Sequence, residues 1–463
     1  MAAQAPVLSG SSEPVPAPSV AAPQAWPRPA SAWWCVIMLS IVLMLSQIDR
    51  NIITLLVAPI KKDLRLSDLQ MSLLMGPAFI ALYVFMGLPL SRLTDTRSRR
   101  VMITIGLGFW SLMTAACGLA HSFGQLFLAR MGIGAGESVN GPATYSLLAD
   151  NFPRERLPRA LAALNIGFVV GGGFSLIAGG LIIGALIASP GHTLPIVGFV
   201  RSWQLVFIVI GAPGLIFAAL MMTVAEPARR GLGGARPVAP PVREVVRFLG
   251  ENRAFYGSMI GGVLVVGLLA TGVQGWNPTF LERTFGWSQR QAGVALGATA
   301  LIASPVGLFL GAWLTERLAK SHDDANLRVA ILAYLIAIPF QVAGPLLPSP
   351  WMALTCSGAG LVCSMMATTP YVAAMQTVTP NQMRAQVSAV YLFVFSGLGS
   401  GLGSPLFGFI TDFIVKDESH IRYTMSGAAL VMGPLAVLII SRGRKPYGRA
   451  IAAIKAAEAA QAH

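Results

Sequence analysis

The sequence predicts an all-α polytopic membrane protein: twelve transmembrane helices arranged as two pseudo-symmetric six-helix bundles. Three observations carry this. The chain of 463 residues is 54% hydrophobic and only 11% charged, where an average soluble domain is about 25% charged. Apolar stretches near the roughly 20 residues that cross a bilayer recur along it. They fall six on each side of one long basic loop. The net charge of +14 does not point to nucleic acid, because Lys and Arg sit in short loops, where they set topology, and not along one face.

In chain order, residues 1–29 contain Pro14-Val15-Pro16-Ala17-Pro18 and almost no charge. Such a stretch cannot bury a core and is expected to be a disordered cytoplasmic arm. The start is polar and proline-rich, so a signal peptide is not expected. The N-terminal six-helix bundle, residues 30–225, holds spans at 33–59, 70–91, 101–120, 124–149, 160–188 and 204–225. A cytoplasmic interdomain loop at 226–252 follows. The C-terminal bundle, residues 253–441, holds spans at 253–277, 291–315, 328–346, 351–375, 385–413 and 423–441. Residues 442–463 are a basic cytoplasmic tail. With the N-terminus inside, 23 Lys and Arg face the inner side and 8 the outer, while Arg50 and Arg130 lie within spans and complete the 33. This asymmetry puts both termini in the cytoplasm.

The first span carries two adjacent charges, Asp49 and Arg50, in an otherwise apolar run. An ionised side chain at mid-bilayer costs roughly 2.5–3.5 kcal/mol on insertion scales, so such residues face a bundle interior or a wet cavity and have partners there. The fourth span has the matching pair, Arg130 and Glu137, and the four charges sum to zero. At a helix rise of about 1.5 Å per residue, Asp49 and Arg130 lie about 15 and about 12 Å from the outer face, so they are level, and Glu137 is about 10 Å deeper than Arg130. Asp49 and Arg50 lie about 100° apart on their helix and cannot address one partner. The expected arrangement is an Asp49–Arg130 pair that protonation of Asp49 releases, freeing Arg130 for an anionic headgroup or for Glu137. Two acids sharing one arginine can titrate far apart, which a proton-coupled cycle would use. The plainer alternative is a static salt bridge that fixes the first helix against the fourth. Arg50 either binds a substrate anion or supports packing.

The two halves repeat a loop. Ser91-Arg92-Leu93-Thr94-Asp95, closing on Arg97, Arg99 and Arg100, follows the second span. Ala312-Trp313-Leu314-Thr315-Glu316-Arg317, closing on Lys320, follows the eighth. An acid followed by bases at matching places marks a duplicated six-span unit. Asp95, Arg99, Arg100, Glu316 and Arg317 are candidate cytoplasmic gate residues, with helix capping and topology as the competing reading. Gly167, Gly171, Gly172, Gly173, Gly179 and Gly180 in span five, and Gly397, Gly399, Gly401, Gly403, Pro405 and Gly408 in span eleven, suit close sliding contacts or simple tight packing. The second half has no charge inside its spans. Its candidate cavity residues are Trp276, Asn277, Thr368, Thr369, Tyr371, Gln376, Tyr391 and Phe393. Asp412, near the outer end of span eleven, is assigned only interfacial solvation. All four cysteines fall in spans without metal spacing, and all five histidines fall outside them, so no metal site is expected.

Six plus six spans with these matched loops resemble the major facilitator superfamily over about residues 30–441. Its loop motif has a Gly, three residues, an acid, a base, one residue, a Gly and two bases. Asp95, Arg99 and Arg100 match it, while Ser91, Thr96 and Ser98 depart from it. Within the superfamily, Asp49-Arg50, Gly132-Ile133-Gly134-Ala135-Gly136-Glu137-Ser138 and Trp276-Asn277-Pro278-Thr279-Phe280-Leu281 resemble the Spinster family, although related anion transporters carry something similar to the last. The resemblance implies transport of lysolipid or sphingolipid-like amphiphiles, proton-linked switching at Asp49, no cofactor other than the coupling proton, a monomer, and a bacterial inner membrane. A cavity charged on one side and apolar-aromatic on the other suits an amphiphilic substrate, with its headgroup toward Arg130. The open alternatives are a proton-linked carrier of small organic anions or sugar acids, a multidrug exporter, a membrane enzyme, and a non-transporting receptor. No histidine lies in a span to serve an enzyme.

Overall fold

The computed structural model describes residues 26–461 apart from 154, 188–190, 196–197 and 230–239. The expected arm lies outside these described residues up to residue 25. The N-terminal half contains α1 (Pro29–Leu55), α2 (Val57–Leu64), α3 (Asp68–Met75), α4 (Pro77–Thr96), α5 (Arg99–Cys117), α6 (Phe123–Glu137), α7 (Asn140–Asn151) and α8 (Leu157–Leu186). A two-stranded antiparallel hairpin, β1 (Gly191–Leu194) and β2 (Gly198–Arg201), then leads into α9 (Ser202–Met221). A connecting helix, α10 (Val242–Glu251), precedes the second half. That half comprises α11 (Arg253–Phe285), α12 (Gln289–Ala319), α13 (Ala325–Ala343), α14 (Pro350–Val378), α15 (Arg384–Leu392), α16 (Ser400–Phe409) and α17 (Ile421–Arg442). A last helix, α18 (Arg444–Gln461), lies in the region expected to be a simple tail.

Among the described residues, eleven helical segments are long and apolar enough to cross a membrane. The fourth expected span is instead divided into α6 and α7, of 15 and 12 residues. The cause is local: Pro142 has no N–H to give the carbonyl of Ser138, four residues earlier. Proline also punctuates the first two spans, at Pro59 just after the α1–α2 break and at Pro77 just after Gly76. Span eleven contains two π-helical stretches, Phe393–Gly399 and Ile410–Val415.

The bundles meet mainly at the end opposite the termini. There α8 lies along α12 through glycines. A Cβ on Gly173 would stand 2.8 Å from the Gly297 carbonyl oxygen, and one on Gly293 would stand 2.6 Å from the Leu176 carbonyl oxygen. Similarly, α3 and the start of α4 meet α16, where a Cβ on Gly408 would stand 2.7 Å from the Asp68 carbonyl oxygen. Only small residues allow helices this close. One core cluster accordingly joins the N-terminal bundle to Leu269, Trp276, Phe280, Leu296 and Phe407 of the second half. A separate cluster around Tyr256, Met259, Tyr371 and Tyr447 fills the second bundle toward the termini. Along α8, Gly171, Gly173, Ser175, Gly179, Gly180 and Ile183 are buried in the far part, where only Phe174, Leu181 and Ala185 are exposed. Toward the termini only Ala160 and Leu164 are buried, and Arg159, Ala162, Asn165, Ile166, Phe168 and Val170 are exposed. The halves therefore close at the far end and part toward the termini.

Candidate translocation site

The four intramembrane charges converge in the N-terminal bundle, but not in the expected pairs. Asp49 on α1 is 5% exposed, and its Oδ1 accepts from the Thr114 hydroxyl of α5 at 3.0 Å. Arg130 on α6 does reach the level of Asp49, yet its Nη1 donates to the Asp49 backbone carbonyl at 2.8 Å and its Nε to the Leu74 carbonyl at 3.2 Å. The guanidinium thus ties α6 to α1 and α3 through carbonyl dipoles. It makes no pair with Glu137 among the described residues. The physical reason is that Arg50 lies nearer to Glu137 and supplies its counter-charge.

Glu137 Oε1 accepts from Ser46 Oγ at 2.6 Å and Arg50 Nε at 3.0 Å, and it also pairs with Arg50 Nη2. Glu137 Oε2 is buried and has no partner among the described residues. Arg50 is the open member of the set: its side chain is 36% exposed against 4% for Glu137. Its guanidinium lies 4.5 Å from the Phe79 ring centroid and 5.4 Å from that of Tyr83, within cation–π range. As the 100° spacing requires, Asp49 and Arg50 address different partners. Ser46 and Thr114 complete the site. They carry no charge, so only the one-turn spacing of Ser46 and Arg50 on α1 could have pointed to the first, and nothing local marked the second.

The second-half candidates divide. Trp276 is fully buried and donates from Nε1 to the Ser404 carbonyl at 3.1 Å, so it fastens α11 to α16 and is not a cavity wall. Tyr371 is 1% exposed and its hydroxyl donates to the Met259 carbonyl, again a packing role. Tyr391 is half-buried and stacks on Phe395 with centroids 6.1 Å apart. Thr369 is exposed, and Asn277 is half-buried with an unpartnered Oδ1. No hydrogen bond, ion pair or cation–ring contact among the described residues joins these five to Arg50 or Arg130.

The expected gate residues are also rearranged. Arg99 is fully buried and bonds within its own bundle. Its Nε donates to Glu226 Oε1 at 3.0 Å and its Nη1 to the Ser146 carbonyl at 3.1 Å, and it pairs with Asp150. The Arg100 amide donates to Glu226 Oε2 at 2.8 Å, and its side chain to the Val224 carbonyl at 3.1 Å. Burial alone would raise the Glu226 carboxyl, but bonds from the Arg100 amide, the Ser98 hydroxyl and Arg99 outweigh it and hold its pKa below the usual range. These residues brace α5, α7 and the segment after α9; they do not bridge the bundles, because the nearest carboxylates belong to their own half. The side chain of Asp95 lies outside the described residues. Glu316 and Arg317 are exposed, and Arg317 lies over the Trp313 ring at 5.6 Å.

The ion pairs that join the halves sit at the far end. Asp68 at the start of α3 is completely buried and accepts from Arg283 Nη1 at 2.6 Å and Nη2 at 2.7 Å. Lys61 pairs with Asp68 at 2.5 Å and with Glu418 at 2.6 Å. Asp412, expected only to meet solvent, accepts the backbone N–H groups of Asp68 and Leu69 at 3.3 and 2.8 Å. One bundle thereby caps a helix of the other. In the sequence Lys61 and Arg283 count only toward the outer-side charge and Asp412 only toward interfacial solvation, since pairing across halves is invisible along the chain.

Comparison with known proteins places this geometry. The family model of the Major Facilitator Superfamily matches residues 39–404. An MFS-type efflux pump of Mycolicibacterium smegmatis is 26% identical, covering 84% of this chain and 86% of the relative. A probable L-galactonate transporter of Escherichia coli is 23% identical over 88% of each chain. Protein spinster of Drosophila melanogaster is 22% identical over 68% of this chain and about half (51%) of its own length. The crystal structure of a bacterial homologue of the human lysosomal transporter Spinster, inward-facing and unoccupied, superposes with a TM-score of 0.77 at 26% identity, covering 92% of this chain and 98% of that one. The same kind of structure in an occupied state gives 0.72. With its helical halves, its intramembrane charges and a family match across most of its length, the chain belongs to the Major Facilitator Superfamily, is a transporter and not an enzyme, and resembles Spinster.

Proposed function

We propose that the protein is a proton-coupled secondary transporter working by alternating access. Its substrate is an amphiphile with an anionic headgroup, of the lysolipid or sphingolipid-like class. The observation that carries this reading is Arg50: a guanidinium within the bundle, about a third exposed, paired on one side and flanked by Phe79 and Tyr83. A cation bordered by aromatic faces suits a headgroup followed by a chain. Asp49 is the proton site. Loss of its charge changes the field at Arg130, which grips the Asp49 carbonyl, and any turn of α1 that follows moves Arg50 against Glu137. The chain lies in a bacterial inner membrane with both termini in the cytoplasm, so the state described above is inward-facing. It acts as a monomer, with membrane lipids as its surroundings.

A second reading, a proton-linked carrier of sugar acids or other small organic anions, is favoured by the likeness to the probable L-galactonate transporter over 88% of each chain. A multidrug exporter is favoured by the likeness to the efflux pump. Liposome flux of a labelled lysophospholipid under an imposed pH gradient, for wild type and Asp49→Asn, separates these. Gradient-driven flux in the wild type, with the gradient dependence lost in the variant, is expected. Flux indifferent to the gradient in both would remove Asp49 from the coupling role. Galactonate flux without lysophospholipid flux would establish the second reading.

A further inference from the structure

Near the far end, α13 and α17 touch at a glycine: a Cβ on Gly433 would stand 2.8 Å from Ile338 Cγ1. Each helix has a proline at the next position, Pro339 and Pro434. Both remove a backbone hydrogen bond from their helix, the usual origin of a kink. Toward the termini, an apolar groove of about 700 Å³ opens between the helices, lined by Leu335, Ile338, Leu435 and Leu438 with the two prolines. Ser441, which lines this groove, also lines a second cavity of about 530 Å³, together with Asp324, Arg444, Lys445 and Arg449 among others. One wall is therefore apolar along the membrane span and cationic where α17 ends.

The cationic part is built on a fixed element. Arg444 Nε donates to Asp324 Oδ2 at 2.6 Å, and Lys455 pairs with Asp323 at 2.5 Å. Tyr447 is buried, stacks on Phe255 with centroids 5.6 Å apart, and accepts from Asn326 Nδ2 at 3.1 Å. These contacts pin α18 against the start of α13 and of α11. Asp324 is occupied by Arg444 and Arg328. By contrast, Lys445 and Arg449 are one turn apart on α18 and exposed, and neither has an ion pair among the described residues. Basic residues immediately beyond a span attract anionic lipid. Here they stand at the end of an apolar groove between two helices, which topology alone does not require.

We propose that this wall is a binding site for one anionic phospholipid of the termini-side leaflet. Its acyl chain lies between α13 and α17, and its phosphate rests on Lys445 and Arg449. The site is on the outer wall of the second bundle and does not depend on which substrate the transporter carries.

Native mass spectrometry of the full chain in detergent tests it, with phosphatidylglycerol and phosphatidylcholine of identical chains. Wild type is expected to retain phosphatidylglycerol roughly tenfold more tightly, since each basic residue near an anionic headgroup contributes appreciably. Lys445→Gln with Arg449→Gln should abolish that preference, and Leu438→Trp should weaken retention with every charge intact. Unchanged melting temperatures identify these variants as folded. A preference that survives the double substitution would overturn the proposal. So would full displacement of the lipid by equimolar glycerol 3-phosphate together with an unaffected Leu438→Trp variant, which would mark a site for free phosphate.

Discussion

A charge within a membrane bundle is tolerable only when its hydrogen-bonding capacity is met, and the two arginines meet it differently. Arg130 is buried and spends its donors on backbone carbonyls of α1 and α3, a role of position that no shorter or rounder cation can fill. Arg130→Met should lower the melting temperature in detergent, because the Leu74 carbonyl in the last turn of α3 loses its donor, and an unsatisfied buried group costs about 1–3 kcal/mol. Arg50 is partly exposed, so a substitution that keeps a positive charge beside buried Glu137 should spare folding and act on substrate. Arg50→Lys loses the planar fork on Glu137 and part of a cation–π contact worth about 0.5–1 kcal/mol. The expected outcome is a rise in the apparent transport constant of roughly fivefold with the melting temperature unchanged. A melting temperature that falls as far as in Arg130→Met would make Arg50 a packing residue.

At the scale of elements, the functional helices are the broken ones. The α6–α7 break follows directly after Glu137, and it exists because Pro142 cannot serve the Ser138 carbonyl. The brace around Arg99 holds α7 to α5 and to the segment after α9, and its pH dependence follows from Glu226. That carboxyl is held below its usual pKa. Its contribution is therefore complete above the unfolded value of about 4.3 and disappears as pH falls through the folded value. Melting temperature should stay flat from pH 7 to about 5 and drop below about 4, and Glu226→Gln should flatten that acid limb. The glycine contact of α8 with α12 is equally specific. Gly173→Val would push a branched side chain into the Gly297 carbonyl and Leu301 and should disfavour the state closed at the far end.

For the whole molecule, alternation between two states requires that the far-end contacts be breakable. Buried Asp68 is their hub, with Arg283 and Lys61 as counter-charges and Asp412 capping the same helix from the other bundle. Breaking one partner of a buried ion pair typically costs about 3–5 kcal/mol, and the Asp68–Arg283 share of that cost falls on the far-closed state alone. Asp68→Asn should therefore shift the population toward far-end opening, seen as a longer distance between spin labels on the loops after α2 and α11. An unchanged distance distribution would reduce this network to local packing. Arg283→Gln should act in the same direction, and the two effects should be strongly non-additive because the residues share one contact.

The positions of Asp49, Arg50, Arg130 and Glu137 along their helices, the six-plus-six spans and the repeated loop follow from hydropathy, helix rise and charge cost. Those are properties a chain carries locally, because a bilayer imposes the same length and polarity on every segment. Which arginine meets which carboxylate is decided elsewhere. Arg130 turned to carbonyls, Trp276 and Tyr371 turned to packing, and the basic pair Arg99 and Arg100 found Glu226 and Asp150 within their own bundle. Asp68 found Arg283 across 215 positions. Polar partners inside a bundle are chosen by distance between helices, and that distance is set by how glycine-rich faces pack, a property of the assembled tertiary structure.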